Sequence, residues 1–159
     1  MASVTTLFNL TSSLPPSSSS LVLVTGFFDL LHSEHRQFLD RAKRAGDYLV
    51  VGLESDLRAR QLKGQQRPFQ PQLLRAHQLA QLNTVDLVVL LPLNFSQSPL
   101  RRLLIRLLRP HILAVSSHTP HQDRKRSLVE QYGGCLLVVH QHNPKVSTTS
   151  LSQKLYNHS

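Results

Sequence analysis

In the stretch "TGFFDLLHSEH", His32 and His35 stand three residues apart, shortly after the apolar run "LVLV" at 21–24. At that spacing two imidazoles occupy neighbouring positions on one face of a helix. Gly26, ahead of them, permits a sharp turn and lets backbone N–H groups come close to a bound group. A helix opening near Ser33 would present unpaired N–H groups and a partial positive charge, and both attract phosphate. Imidazoles placed there can donate to phosphate oxygens, and the phosphate in turn favours their charged forms. Phosphoryl or nucleotidyl transfer suits this arrangement, because its catalyst mainly holds and neutralises charge. The other use of an H-x-x-H pair is metal binding, but no companion cysteine or carboxylate set stands at ligand spacing.

Something must hold these residues in place, and the hydrophobic pattern says what. Short apolar runs without alternating polarity occur at 21–24, 48–53, 85–91, 111–115 and 135–139. Such runs suit strands buried on both faces of a parallel sheet. Helix-like stretches separate them: "SEHRQFLDRAKRA" between Ser33 and Gly46, "PQLLRAHQLAQL" opening at Pro71, "PLRRLLIRLLRP" between Pro99 and Pro110, and "DRKRSLVEQYGG" ending on a glycine pair. "TTSLSQKLYN" is the last. Strand and helix in alternation predict a single α/β domain, a Rossmann-like doubly wound parallel sheet of about five strands. Sheets of that kind bind ligands outside the carboxyl ends of their strands, where the strand order reverses. The first strand-to-helix turn, which carries the histidines, lies at such an edge.

Composition narrows the partners. The 159 residues include 18 Lys and Arg against 9 Asp and Glu, a net charge of +9 with histidine neutral. That excess favours polyanionic ligands without choosing among them. The arginines of "RRLLIRLLR" (Arg101, Arg102, Arg106 and Arg109) read as the solvated side of a helix that buries its leucines. No series of aromatic residues for base stacking accompanies them, so nucleic acid is disfavoured as a partner. One cysteine, Cys135, lies in a strand-like run and reads as a small buried hydrophobe. This cysteine usage fits a reducing, cytoplasmic setting. No apolar run reaches the roughly 18–20 residues of a membrane-spanning helix. Residues 1–19, rich in Ser and Thr, read as a flexible leader before a domain at 20–159.

The segment from Thr25 to Asp56 resembles the opening of the cytidylyltransferase-like nucleotidyltransferases, a family that includes the glycerol-3-phosphate and choline-phosphate cytidylyltransferases and the adenylyltransferase half of the heptose-phosphate enzyme. Their G-x-F-D-x-x-H-x-G-H hallmark is met at Gly26, Phe28, Asp29, His32 and His35. The resemblance continues through "KGQQRP" at 63–68, through Arg75, and through "VSTTSL" at 146–151. It implies a CMP or AMP unit passing from CTP or ATP, carried with Mg2+, to a phosphorylated alcohol or sugar phosphate, with pyrophosphate released. It also implies roles. His32, His35 and Lys63 would be catalytic; Thr25, Gly26, Phe27, Phe28, Ser147, Thr148 and Thr149 would bind the nucleotide; Arg67 and Arg75 would clamp phosphate. A homodimer is the assembly it leads one to expect.

Two departures stand out. Glu34 replaces the glycine between the two histidines. It either crowds the triphosphate with bulk and like charge, faces solvent in the first helical turn, or serves Mg2+ or a cationic part of the acceptor. In the first case the protein is a non-catalytic nucleotide-binding module. The second departure is Ser116-Ser117-His118, where many relatives carry a Gly-Gly-Asp-like turn, and it leaves the choice of base open.

Overall fold

A computed structural model describes residues 1–143 and 145–156, with side chains through Gln153. Six parallel strands form one sheet: β1 (Ser3–Thr6), β2 (Leu21–Gly26), β3 (Tyr48–Leu53), β4 (Leu87–Leu90), β5 (Ile112–Ser116) and β6 (Cys135–His140). Their order is β1-β4-β3-β2-β5-β6. From β2 the chain winds outward through β3 to β4 and then returns to the other side of β2 for β5 and β6. The order therefore reverses between β2 and β5, beside the end of β2 that carries Gly26. The central strands are continuous apolar runs because both faces are covered: every residue from Leu21 to Val24 and from Leu49 to Leu53 is buried.

Helices α1 (Ser33–Lys43) and α3 (Gln72–Ala80) cover one face. Their Leu39, Ala42, Ala76, Leu79 and Ala80 pack on Val22, Val24, Val51 and Val88. Helices α4 (Ser98–Leu108) and α5 (Gln122–Glu130) cover the other, with Leu104, Ile105, Leu108 and Val129 against Leu23, Val50, Val89 and Leu113. As its pattern predicts, α4 turns its apolar face inward, with Leu104, Ile105 and Leu108 buried and Leu100, Leu103 and Leu107 partly so, and it exposes Arg101, Arg102 and Arg106, as does its C-cap Arg109. The remaining helices are α2 (Asp56–Lys63), between β3 and α3, and α6 (Thr148–Tyr156), which follows β6. Ser55 caps α2 by accepting from the Arg58 N–H. Among the described residues no helix is long and apolar enough to cross a membrane.

Two expectations are corrected here. The first 13 residues are not a flexible leader. Ser3–Thr6 pair in register with Leu87–Leu90 as the sixth strand, and a 3-10 helix (Leu7–Ser13) follows with Leu7 and Leu10 fully buried against α4. Two leucines spaced to share one side of a helical turn anchor a segment whose serines and threonines otherwise read as linker. Cys135 is exposed rather than buried, because β6 is an edge strand that leaves Leu137 and Val138 exposed too.

Candidate active site

The loop from β2 to α1 is built under constraint. Phe28 and Leu30 both hold φ at 48°, left-handed values that cost side-chain-bearing residues about 1–3 kcal/mol each. Gly26 allows a close approach: a Cβ there would lie 3.0 Å from the Phe28 ring, which would have to shift. That ring is buried, and it packs edge-on against the His35 imidazole with centroids 5.4 Å apart. The tight loop thus turns Phe28 into the floor on which His35 rests.

Asp29 closes the structure around it. Its carboxylate is buried and accepts from the Phe69 N–H at 2.8 Å, the Gln70 N–H at 3.0 Å and the Arg67 guanidinium at 3.2 Å. Its carbonyl accepts from the Thr148 hydroxyl at 2.8 Å. One residue of the β2–α1 loop therefore fixes both the segment before α3 and the start of α6.

His32 is the N-cap of α1 and makes no side-chain cap bond, so the first-turn amides remain available to a ligand. The His32 and His35 rings stack at 3.7 Å with their planes 19° apart. In each ring Nδ1 is buried without a partner, which leaves Nε2 as the nitrogen that can meet a ligand. Burial holds the His35 pKa down to about 3, with His32 and Lys63 adding to the effect. Burial lowers His32 as well, partly offset by Glu34. In the free protein both imidazoles are therefore neutral near pH 7. A phosphate among them would reverse that balance.

The other sequence-predicted residues divide into those at this site and those that support it. The Lys63 ammonium lies 4.8 Å over the centre of the Phe27 ring, where burial of the charged group, ahead of repulsion by Arg67, lowers its pKa. Arg67 stacks on Phe69, pairs with Asp29 and donates to the Thr149 hydroxyl at 2.7 Å, joining the "QQRP" loop to α6. Ser147 caps α6, its hydroxyl accepting from the Ser150 N–H at 3.1 Å. The Thr148 hydroxyl is engaged, donating to the Asp29 backbone carbonyl. Thr25 and Gly26 pair with Gly52 and Leu53 of β3, so their part in binding is through the end of the strand.

Arg75 is the clear correction. It has no exposure, and its guanidinium donates to the carbonyls of Gln70, Phe27 and Glu54 and to Asp56 at 2.6 Å. A guanidinium so occupied cannot clamp a phosphate. It instead gathers the β2–α1 loop, the end of β3, α2 and the loop before α3 onto one point.

Glu34 faces neither solvent nor open cleft. Its side chain is 12% exposed, and Oε2 accepts from His140 Nε2 at 2.8 Å and from the Asn143 N–H at 3.4 Å. The bond from His140 holds the Glu34 carboxyl below its usual range. Next to it the His118 and His142 rings lie 3.8 Å apart with their planes tilted by 36°, with His118 Nδ1 on the Ser116 hydroxyl and the His142 backbone N–H on the Ser117 hydroxyl. Sequence reasoning noticed His118 but missed His140 and His142. A histidine that closes an apolar strand gives no local sign of what it meets across the sheet. Asp29 was legible as part of the hallmark, though its bracing role was not. Among the described residues no three His, Cys, Asp or Glu side chains gather with metal-binding geometry.

The sequence profile of the cytidylyltransferase-like family matches residues 23–154. The chain belongs to that family of nucleotidyltransferases. It is 42% identical over 136 residues to the bifunctional protein HldE of Pelobacter propionicus, covering 85% of this chain and 27% of that protein. The protein of the same name from Geotalea uraniireducens is also 42% identical over 136 residues, with 85% and 26% covered. The chain thus spans about a quarter of the length of these relatives. Among solved structures, a lipopolysaccharide core biosynthesis protein from Thermoplasma volcanium superposes with a TM-score of 0.63 at 23% identity, covering 79% of this chain and 98% of that one. A pantoate-beta-alanine ligase from Francisella tularensis superposes at 0.61 and 14% identity, covering 99% and 78%. Those two likenesses are of fold.

Proposed function

We propose that the protein transfers a nucleotidyl unit, CMP from CTP or AMP from ATP, to a phosphorylated alcohol or sugar phosphate. The observation that carries this reading is the stacked His32–His35 pair at an uncapped helix start, beside the Gly26 turn where the strand order reverses. An oxygen of the acceptor phosphate attacks the α-phosphorus in line. The bond from that phosphorus to the bridging β-phosphate oxygen breaks, and pyrophosphate leaves with the electron pair. No nucleophile from the protein is needed. His32 and His35, charged once the nucleotide is bound, and the α1 amides stabilise the charge that builds on the α-phosphate. Lys63 moves from the Phe27 ring to phosphate as a point charge. Thr149 and the start of α6 hold the outer phosphates, and Arg67 orients Thr149. Mg2+ arrives with the triphosphate, since such ions are held mostly by phosphates and water. A homodimer is the expected assembly, checked by sedimentation.

Nucleotide labelled at either the α- or the γ-phosphate tests the reaction against a panel of phosphorylated alcohols and sugars. The α-label should pass into a new product joined through a phosphoanhydride bridge while pyrophosphate accumulates. Transfer of the γ-label, or release of inorganic phosphate alone, would replace this reading with a kinase or a hydrolase.

A further inference from the structure

Glu34 is the residue at which this chain departs from its family inside the histidine motif, and its contacts say what it does there. Arg41, two turns along α1, donates from Nη1 to His140 Nδ1 at 3.0 Å. A guanidinium has no acceptor atom, so Nδ1 must carry the lone pair. The proton of His140 then sits on Nε2 and is donated to Glu34 Oε2 at 2.8 Å. The imidazole has a cation on one nitrogen and a carboxylate on the other, so Glu34 is linked through the ring to Arg41. The Glu34 carboxylate is turned onto His140 and the Asn143 N–H.

The consequence lies at the far end. The same Glu34 oxygen takes the Asn143 N–H, so α1 grips both ends of the stretch from His140 to Asn143. Within that stretch the His142 ring lies against that of His118, centroids 3.8 Å apart and planes tilted by 36°, and burial, joined by the charge of His142, lowers the His32 pKa. We propose that Glu34 is a positioning residue, which through His140 and Asn143 holds the end of β6 against α1 and sets His142 at the rim of the nucleotide site. This rests on the nucleotidyl-transfer reading for what the rim does, but not for the grip itself. A glycine at position 34 could make neither contact. Restoring the family's glycine should therefore loosen the site rather than open it.

The test uses the intact chain and three variants, Glu34→Gln, Glu34→Ala and Glu34→Gly. Histidine 15N spectra of the wild type should show His140 protonated on Nε2 and bare on Nδ1. Amide exchange at His140–Asn143 should quicken at least tenfold in Glu34→Gly and Glu34→Ala, and stay within threefold in Glu34→Gln, whose side-chain carbonyl can still accept. Titration with Mg–ATP and Mg–CTP should give a dissociation constant raised at least tenfold in the same two variants and rescued in Glu34→Gln. Unchanged exchange in Glu34→Gly overturns the proposal, as does equal or tighter nucleotide binding by that variant. Quickened exchange in a protein whose wild type binds neither nucleotide would uphold the grip and sink the nucleotidyl-transfer reading.

Discussion

His32 and His35 enter the ligand-free site neutral, because each hides Nδ1 without a partner and each ring desolvates the other. On the proposed reading, a bound triphosphate would supply the counter-charge that the fold withholds. Binding should therefore raise both folded-state pKa values and take up protons. The sign follows: affinity is strongest on the acid side and is lost as pH rises through the raised, bound-state values. Titrations between pH 7 and 8.5, above the phosphate's own second pKa of about 6, should show affinity falling by up to about tenfold per pH unit for each proton taken up. Calorimetry in two buffers of different ionisation enthalpy measures the proton count directly. An uptake of zero would mean that the pair stays neutral when nucleotide binds, and that its donors act without charge.

At the scale of elements, four segments meet on Arg75 rather than on a hydrophobic plug. Its donors satisfy carbonyls from the β2–α1 loop, the end of β3 and the loop before α3, while Asp56 at the start of α2 balances the charge. Removing one partner from such an arrangement strands the others in a dry setting. Arg75→Ala should cost about 3–5 kcal/mol, and Arg75→Lys should recover little, since an ammonium cannot reproduce the planar fork. Urea unfolding of both variants measures this. If Arg75→Ala kept its stability and lost only nucleotide affinity, the brace would be wrong and the clamp restored. Asp29 is the second such knot, and it explains why the hallmark needs an acid at a position that never has to touch the ligand. It joins the histidine loop to Phe69, Gln70 and Thr148, segments 40 or more residues away in sequence.

Across the whole molecule, what could be read from the sequence was what repeats or is local. Continuous apolar runs located β2 to β6, although only the inner strands are buried on both faces, and the Gly26–His35 segment marked the candidate site. β1 left none: "SVTT" is four residues, half of them exposed, and its pairing with β4 depends on contacts more than 80 residues away. Arg75 looked like a phosphate clamp because charge is visible in sequence and burial is not. Glu34 was ambiguous for the same reason, its partner being 106 residues distant. Basic residues in excess proved to be partly scaffold, with Arg41, Arg67 and Arg75 all engaged by protein groups.

The central claim is that two stacked imidazoles carry the charge of the transferring phosphate. It is tested most directly by turnover of His32→Ala and His35→Ala with the acceptor to which the wild type transfers label. Each should lower kcat by about 10²–10³-fold, the range for losing one pre-set donor to a developing charge, with KM for the acceptor little changed. Unchanged kcat in both variants would contradict the account.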